Sequence, residues 1–212
     1  IIIFSSASVV LSIPISLNAC NTKLLISPFA NKFFGVVFSK VEADLYLENL
    51  LNEIEWKNDE VKIFGRQIIT KRKVAWYADA GITYTYAGVK KSGLDWTSAL
   101  IGIKQKVEAI TGAKYNACLL NLYHEGEEGM GWHQDNEKEI VEGSSIASLS
   151  FGAVRKFAFK HVKTNERLDI ELAHGSLLDM KGEIQAHWYH SLPKTTRVKQ
   201  MRINLTFRLM HG

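Results

Sequence analysis

The chain is poor in residues that staple or punctuate a fold: its 212 residues include only two cysteines and three prolines. Cys20 and Cys118 stand far apart with no C-x-x-C spacing. That excludes a thiolate zinc site and a disulfide-dense secreted scaffold, and it leads us to expect a reducing, intracellular compartment. With 46% hydrophobic and 23% charged residues, neither a collagen-like nor a disordered chain is plausible. Charge of one sign is also lacking. Lys plus Arg number 26 against 22 Asp plus Glu, a balance of +4, which suits nucleic acid and small anions equally. No long apolar run is unbroken: Ser5, Ser6, Ser8, Ser12 and Pro14 interrupt the one that begins at Ile1. Leu17-Asn18-Ala19-Cys20 has the form of a lipoprotein cleavage site, but no charged n-region precedes it. Residues 1–27 are therefore expected to be an irregular extension, and no membrane partner is expected.

What remains reads as one α+β domain, a size ample for a sizeable core. Ser39-Lys40-Val41-Glu42 has the form of a capping box, and Val41, Leu45, Leu50, Leu51 and Ile54 follow at mostly helical spacing. A second helix is predicted from Thr97 to Ile110, stopped by Thr111-Gly112. From Asn116 onward seven short β-type runs follow: 116–123, 145–151, 156–162, 167–172, 176–180, 187–192 and 200–210. Such spacing argues for a sandwich or barrel-like double sheet, with the helices packed on its outside.

His133 and Asp135 are two residues apart, so in an extended segment they project from one face and can reach one ion. Alone, this pair is weak. A third ligand would complete the two-His, one-carboxylate set of non-haem Fe(II) oxygenases. His190 is a candidate, and His187 and His174 are rivals that spacing alone does not rank; strand alternation would put His187 opposite His190. Arg202, Asn204, Thr206 and Arg208 alternate cleanly with Ile203, Leu205, Phe207 and Leu209. The plain reading is a strand with its polar face in water. Turned inward, the same face would offer two guanidiniums, each able to hold a carboxylate bidentately.

Taken in order, Asn121-Leu122-Tyr123, His133-Gln134-Asp135, the run from Ile146 to Gly152, His174-Gly175-Ser176, the run from Trp188 to Pro193 and the run from Arg202 to Arg208 resemble the AlkB family of Fe(II)/2-oxoglutarate dioxygenases. The likeness is nearest to the branch of the second and third human homologues and covers residues 28–212. It implies a double-stranded β-helix (jelly-roll) with buttressing helices, a nucleotide-recognition lid at about 60–92 and a catalytic core at about 115–211. The resemblance makes His133, Asp135 and His190 the iron ligands. Asn121, Tyr123, Arg202, Asn204 and Arg208 become the 2-oxoglutarate set, with Arg202 and Tyr123 on the distal carboxylate.

On the substrate side it implies a hairpin at Phe64, Gly65 and Arg66 whose apolar tip enters the duplex, with Lys71-Arg72-Lys73 contacting phosphates. Tyr86 is implied to stack on an extruded base, with Tyr84, Asn136 and Glu137 as its polar readers. Trp76 and Trp132 are further candidates for lining that pocket. The implied reaction is oxidative demethylation of N-alkylated bases such as 1-methyladenine and 3-methylcytosine in DNA or RNA. It would use Fe(II), O2 and 2-oxoglutarate and release succinate, CO2 and formaldehyde. The enzyme is expected to be a monomer, cytoplasmic in a prokaryote and nuclear in a eukaryote. The same chemistry on a protein or small molecule is the alternative reading, and a non-catalytic nucleic-acid binder is the other.

Overall fold

The computed structural model describes residues 33–63, 66–86 and 89–212, of which 61–63, 66–68, 84–86 and 89–91 are described by backbone alone. The expected extension at 1–27 and the Phe64-Gly65 tip lie outside these residues.

Two helices form where local chemistry starts and stops them. In α1 (Lys40–Glu53) the capping box is complete: Glu42 N–H donates to Ser39 Oγ at 3.3 Å, and Ser39 N–H donates to the Glu42 carboxylate at 2.9 Å. Helix α2 (Ser98–Thr111) is capped by Thr97 and closed by Gly112 in the left-handed region at φ 70°. Leu50 of α1 and Leu100, Ile103 and Val107 of α2 are buried against Leu120, Leu149, Phe151, Leu205 and Phe207 of the sheet beneath. The helices thus cover one face of that sheet, as expected.

That sheet has seven strands in the order β1 (Phe33–Val36), β11 (Ser176–Met180), β8 (Ile146–Gly152), β13 (Arg202–Arg208), β6 (Ala117–Tyr123), β3 (Arg66–Ala78) and β2 (Lys57–Ile63). A second sheet runs β10 (Arg167–Leu172), β9 (Arg155–His161), β12 (Trp188–Leu192), β7 (Met130–His133). All pairings in both sheets are antiparallel. A second core, including Tyr123, Ile146, Leu178, Phe157, Phe159 and Leu192, joins the two sheets. This is the double-sheet jelly-roll with buttressing helices that the resemblance implied.

Two elements depart from the sequence reading. β7 has four residues, Met130-Gly131-Trp132-His133, and no β-branched side chain to announce it. The run expected at 187–192 begins one residue later, because His187 closes α3 (Glu183–His187), a helix too short to show periodicity. In the lid range β2 and β3 form the expected hairpin, with Ile63 paired to Arg66. A ribbon follows, β4 (Thr83–Tyr86) with β5 (Val89–Ser92), in which Tyr84 pairs with Lys91 and Tyr86 with Val89. Among the described residues no helix is long and apolar enough to cross a membrane.

Candidate active site

Three donors meet at one end of the small sheet. His133 on β7 and His190 on β12 are direct cross-strand partners, and their rings lie 4.2 Å apart. Asp135 follows β7 by two residues, and its Oδ2 lies 3.8 Å from His190 Nε2. The ligand atoms of all three fall within 4.8 Å of one another, close enough for one ion. His133 Nδ1 lies 2.9 Å from the Gly131 carbonyl, which can only accept, so Nδ1 carries the proton and Nε2 keeps its lone pair for a metal. The Gln185 side chain of α3 donates to the Asp135 carbonyl, tying that short helix to the metal-facing loop.

Electrostatics favour an ionised, metal-ready set. Burial works to raise the Asp135 pKa, yet Arg208, His190 and His133 together hold it below the ordinary carboxylate value. Burial is also the main cause that lowers the His190 pKa to about 4, so the imidazole is neutral. Arg208 Nη2 lies 2.7 Å from Asp135 Oδ1, and Nη1 lies 3.5 Å from Glu137 Oε1. The rival histidines are elsewhere. His174 accepts the Gly152 N–H at 2.8 Å and binds Asp44 at 3.1 Å, clamping β8 to α1. His187 is nearly half exposed on the end of α3, 3.6 Å from Glu183. It misses the cluster because it ends a helix, not through strand alternation.

The polar face of β13 turns inward, opposite to the solvent-facing reading. Arg202, Thr206 and Arg208 are buried. Cross-strand register puts Arg202 opposite Tyr123 and Asn204 opposite Asn121. Arg202 is 2% exposed, donates to Ser150 Oγ at 2.9 Å and lies over the Tyr123 ring at 5.6 Å. Among the described residues it pairs with no carboxylate and its Nε has no partner, and burial lowers its pKa to about 10. Asn121 Oδ1 is buried and, among the same residues, also without a partner. Such a fully buried guanidinium fits a carboxylate-bearing ligand, and two imidazoles with one carboxylate fit Fe(II). Asn204 donates both amide hydrogens within its own sheet, to Ser148 Oγ and the Leu149 carbonyl.

Among the substrate candidates, Asn136 is exposed beside Asp135, and Glu137 is half-buried against Arg208. Phe64 and Gly65, and the side chains of Arg66, Tyr84 and Tyr86, lie outside the described residues. Trp132 does not line this site. It is 40% exposed, with Lys160 at 5.3 Å and Arg167 at 5.8 Å over its ring. The basic run at 71–73 is split: Lys71 is exposed, but Arg72 is buried in an ion pair with Asp59. Arg72 turns inward where the register between β2 and β3 breaks, so it is not a phosphate contact. Sequence reasoning missed Arg155, a buried arginine whose Nη2 reaches the carbonyls of Gly126 (3.2 Å), Glu128 (3.0 Å) and Pro193 (2.9 Å). Nothing in its local pattern distinguishes it from a surface charge.

Residues 30–208 match the family model of the 2OG-Fe(II) oxygenase superfamily. The chain belongs to that superfamily. The DNA oxidative demethylase ALKBH2 of Mus musculus is 41% identical over 186 residues, covering 82% of this chain and 78% of that protein. ALKBH2 of Homo sapiens is 40% identical, with 82% and 71% covered. The alpha-ketoglutarate-dependent dioxygenase alkB homolog 3 of Homo sapiens is 36% identical over 183 residues, with 80% and 62% covered. Within the 2OG-Fe(II) oxygenases this dioxygenase is thus an AlkB-family member near these two branches, and its cofactors are Fe(II) and 2-oxoglutarate.

Proposed function

We propose that this AlkB-family dioxygenase oxidatively demethylates N-alkylated bases of the 1-methyladenine and 3-methylcytosine type in DNA. The observation that carries the reading is the inward polar face of β13, which buries Arg202 and Arg208 and sets Arg208 against Asp135 of the His133–Asp135–His190 cluster. DNA as substrate is supported by the relatives, two of which are DNA oxidative demethylases.

His133, Asp135 and His190 would hold the iron. When bound, Fe(II) with 2-oxoglutarate and O2 supplies an oxidant able to hydroxylate an N-alkyl carbon, with loss of formaldehyde, succinate and CO2. Arg202 and Tyr123 would fix the distal carboxylate, while Arg208 and Asn121 orient the end that meets the metal. Arg208 also keeps Asp135 ionised for coordination. Asn204 braces β13 against β8, so that Arg202 keeps its aim. The hairpin at Phe64, Gly65 and Arg66 would enter the duplex, Tyr86 would stack on the extruded base, and Tyr84, Asn136 and Glu137 would read its polar edge. The enzyme would act as a monomer, in the cytoplasm of a prokaryote or the nucleus of a eukaryote.

The test is formaldehyde release from oligonucleotides carrying 1-methyladenine, with and without 2-oxoglutarate. Release that requires 2-oxoglutarate supports the reading. Uncoupled 2-oxoglutarate turnover without release from DNA or RNA would move the substrate to a protein or small molecule. Asp135→Ala should abolish turnover and His187→Ala spare most of it; equal losses would overturn the ligand assignment.

A further inference from the structure

The buried Asp59–Arg72 pair sits where the β2–β3 hairpin leaves the large sheet. From Lys73 onward β3 pairs with β6; on the hairpin side, among the described residues, it pairs with β2 alone. At that boundary the register breaks: Asn58 pairs with Lys73 but Glu60 pairs with Ile69, so Asp59 alone faces Thr70, Lys71 and Arg72, two residues more than regular pairing allows. This is a β-bulge, a device that re-aims a side chain. Asn58 Nδ2 donates to the Thr70 carbonyl at 3.3 Å and Thr70 Oγ1 to the Arg72 carbonyl at 3.2 Å, which fixes the bulge. Its result is that Arg72 points into the molecule between Asp59 and Met130, whose Sδ is 3.2 Å from Nη1.

The third neighbour of Arg72 is Tyr123, with the guanidinium carbon 6.0 Å from the ring centre. Lys73 pairs with Leu122, so Arg72 stands beside Tyr123 on the next strand, and Arg202 pairs with Tyr123 from the other side. Across β3, β6 and β13 the three side chains form one buried row, with the Tyr123 ring held between two guanidiniums. The two arginines are not equivalent. Arg72 has Asp59 as counter-ion, whereas Arg202 has a serine hydroxyl. A carboxylate entering this row would therefore be drawn to Arg202, while the neutralised Arg72 fixes the position of the phenol.

We propose that Arg72, locked by Asp59 at the bulge, is a positioning residue for the 2-oxoglutarate pocket and acts through Tyr123. The proposal rests on the reading that Arg202 and Tyr123 receive the distal carboxylate. Removing the Arg72 fork leaves Asp59 buried without its cation and frees the Tyr123 ring on one side. The cosubstrate then has to order the phenol as it binds, at a cost in affinity.

The experiment is calorimetric titration of 2-oxoglutarate into the full-length protein loaded with Mn(II), with a separate Mn(II) titration and a melting curve for each variant. Arg202→Ala checks the underlying reading, and if it leaves 2-oxoglutarate affinity intact that reading fails. With Arg202→Ala weak as expected, Arg72→Met should raise the 2-oxoglutarate Kd about tenfold, within the usual span of coupling between sites, and leave Mn(II) affinity unchanged. Arg72→Lys should recover little, since an ammonium lacks the planar fork. In a Tyr123→Phe background the Arg72→Met effect should largely vanish, because the group it positions is gone. Asp59→Asn gives the second route to the same result if Arg72→Met unfolds. Wild-type 2-oxoglutarate affinity in folded Arg72→Met or Asp59→Asn, or an effect of equal size with and without the Tyr123 hydroxyl, would overturn the proposal.

Discussion

Arg202 shows how one side chain can decide between two readings of a strand. A guanidinium that is 2% exposed, with Ser150 as its hydrogen-bonded partner, carries a desolvation cost that a ligand of opposite charge would offset. Arg202→Ala should therefore raise the 2-oxoglutarate requirement steeply, on the order of 2–5 kcal/mol of lost interaction, and Arg202→Lys should recover only part of it. Cosubstrate titrations at fixed Fe(II) read this directly, and unchanged titrations would return the polar face of β13 to a structural role. His190 makes a different prediction, for the metal-stripped protein. Its pKa falls to about 4 in the fold, mainly through burial. The unfolded chain takes up that proton near the ordinary value of about 6.5, so it binds more protons than the native state in between. Stability contributed by neutral His190 is complete above about pH 6.5 and is lost as pH falls towards 4. Asp135, whose pKa is also depressed, extends the decline further into acid. Urea denaturation of the chelator-treated protein at about pH 7 and pH 5 should show the loss, and His190→Gln should flatten it. An identical slope in the variant would assign the acid sensitivity to other groups.

Among the elements, those with strong local chemistry were legible and those made by tertiary context were not. The capping box at Ser39, the left-handed stop at Gly112 and the alternation of β13 are all written in short-range pattern, and each appears where expected. The four-residue β7 carries His133 yet has no pattern of its own, because it exists only by pairing with β12. Likewise α3 starts at Gly182, whose φ of 57° turns the chain, and its five residues are too few to show a helical stripe. The run at 71–73 misled for a related reason: charge can be read from sequence, but a bulge that turns Arg72 inward cannot. Gly152 at the end of β8 offers a test at this scale. It has φ 86° and pairs with Arg202, and a Cβ there would press on the Met201 carbonyl. Its N–H also donates to His174. Gly152→Ala should cost about 1–2 kcal/mol from the left-handed backbone alone, and more from the contact. Chemical denaturation measures it, and a loss below a few tenths of a kcal/mol would mean that β8 shifts freely at this end.

At the scale of the whole molecule, the small sheet carries two of the three iron-type donors and the large sheet buries Arg202 and Arg208, while a hairpin and a ribbon come from the first half of the chain. The donor set is preorganised by cross-strand pairing, so it does not depend on the β2–β3 hairpin or the β4–β5 ribbon. Substrate form, by contrast, should be decided by those two elements. In the sequence Phe64 falls between Ile63 and Arg66, which pair with each other across β2 and β3. If it fills the stack vacated by an extruded base, Phe64→Ala should weaken demethylation of 1-methyladenine in duplex DNA far more than in single strands, where no stack needs filling. Tyr86→Ala should impair both, since stacking on the extruded base is needed in either form and is worth about 1–3 kcal/mol. Both variants should keep uncoupled 2-oxoglutarate turnover, because both residues are proposed to act on the nucleic acid and not on iron or 2-oxoglutarate. Matched oligonucleotides at one fixed salt concentration give the comparison, phosphate contacts being salt dependent. Equal losses on duplex and single strand for Phe64→Ala would remove the wedge role and leave the hairpin as a general contact to the backbone.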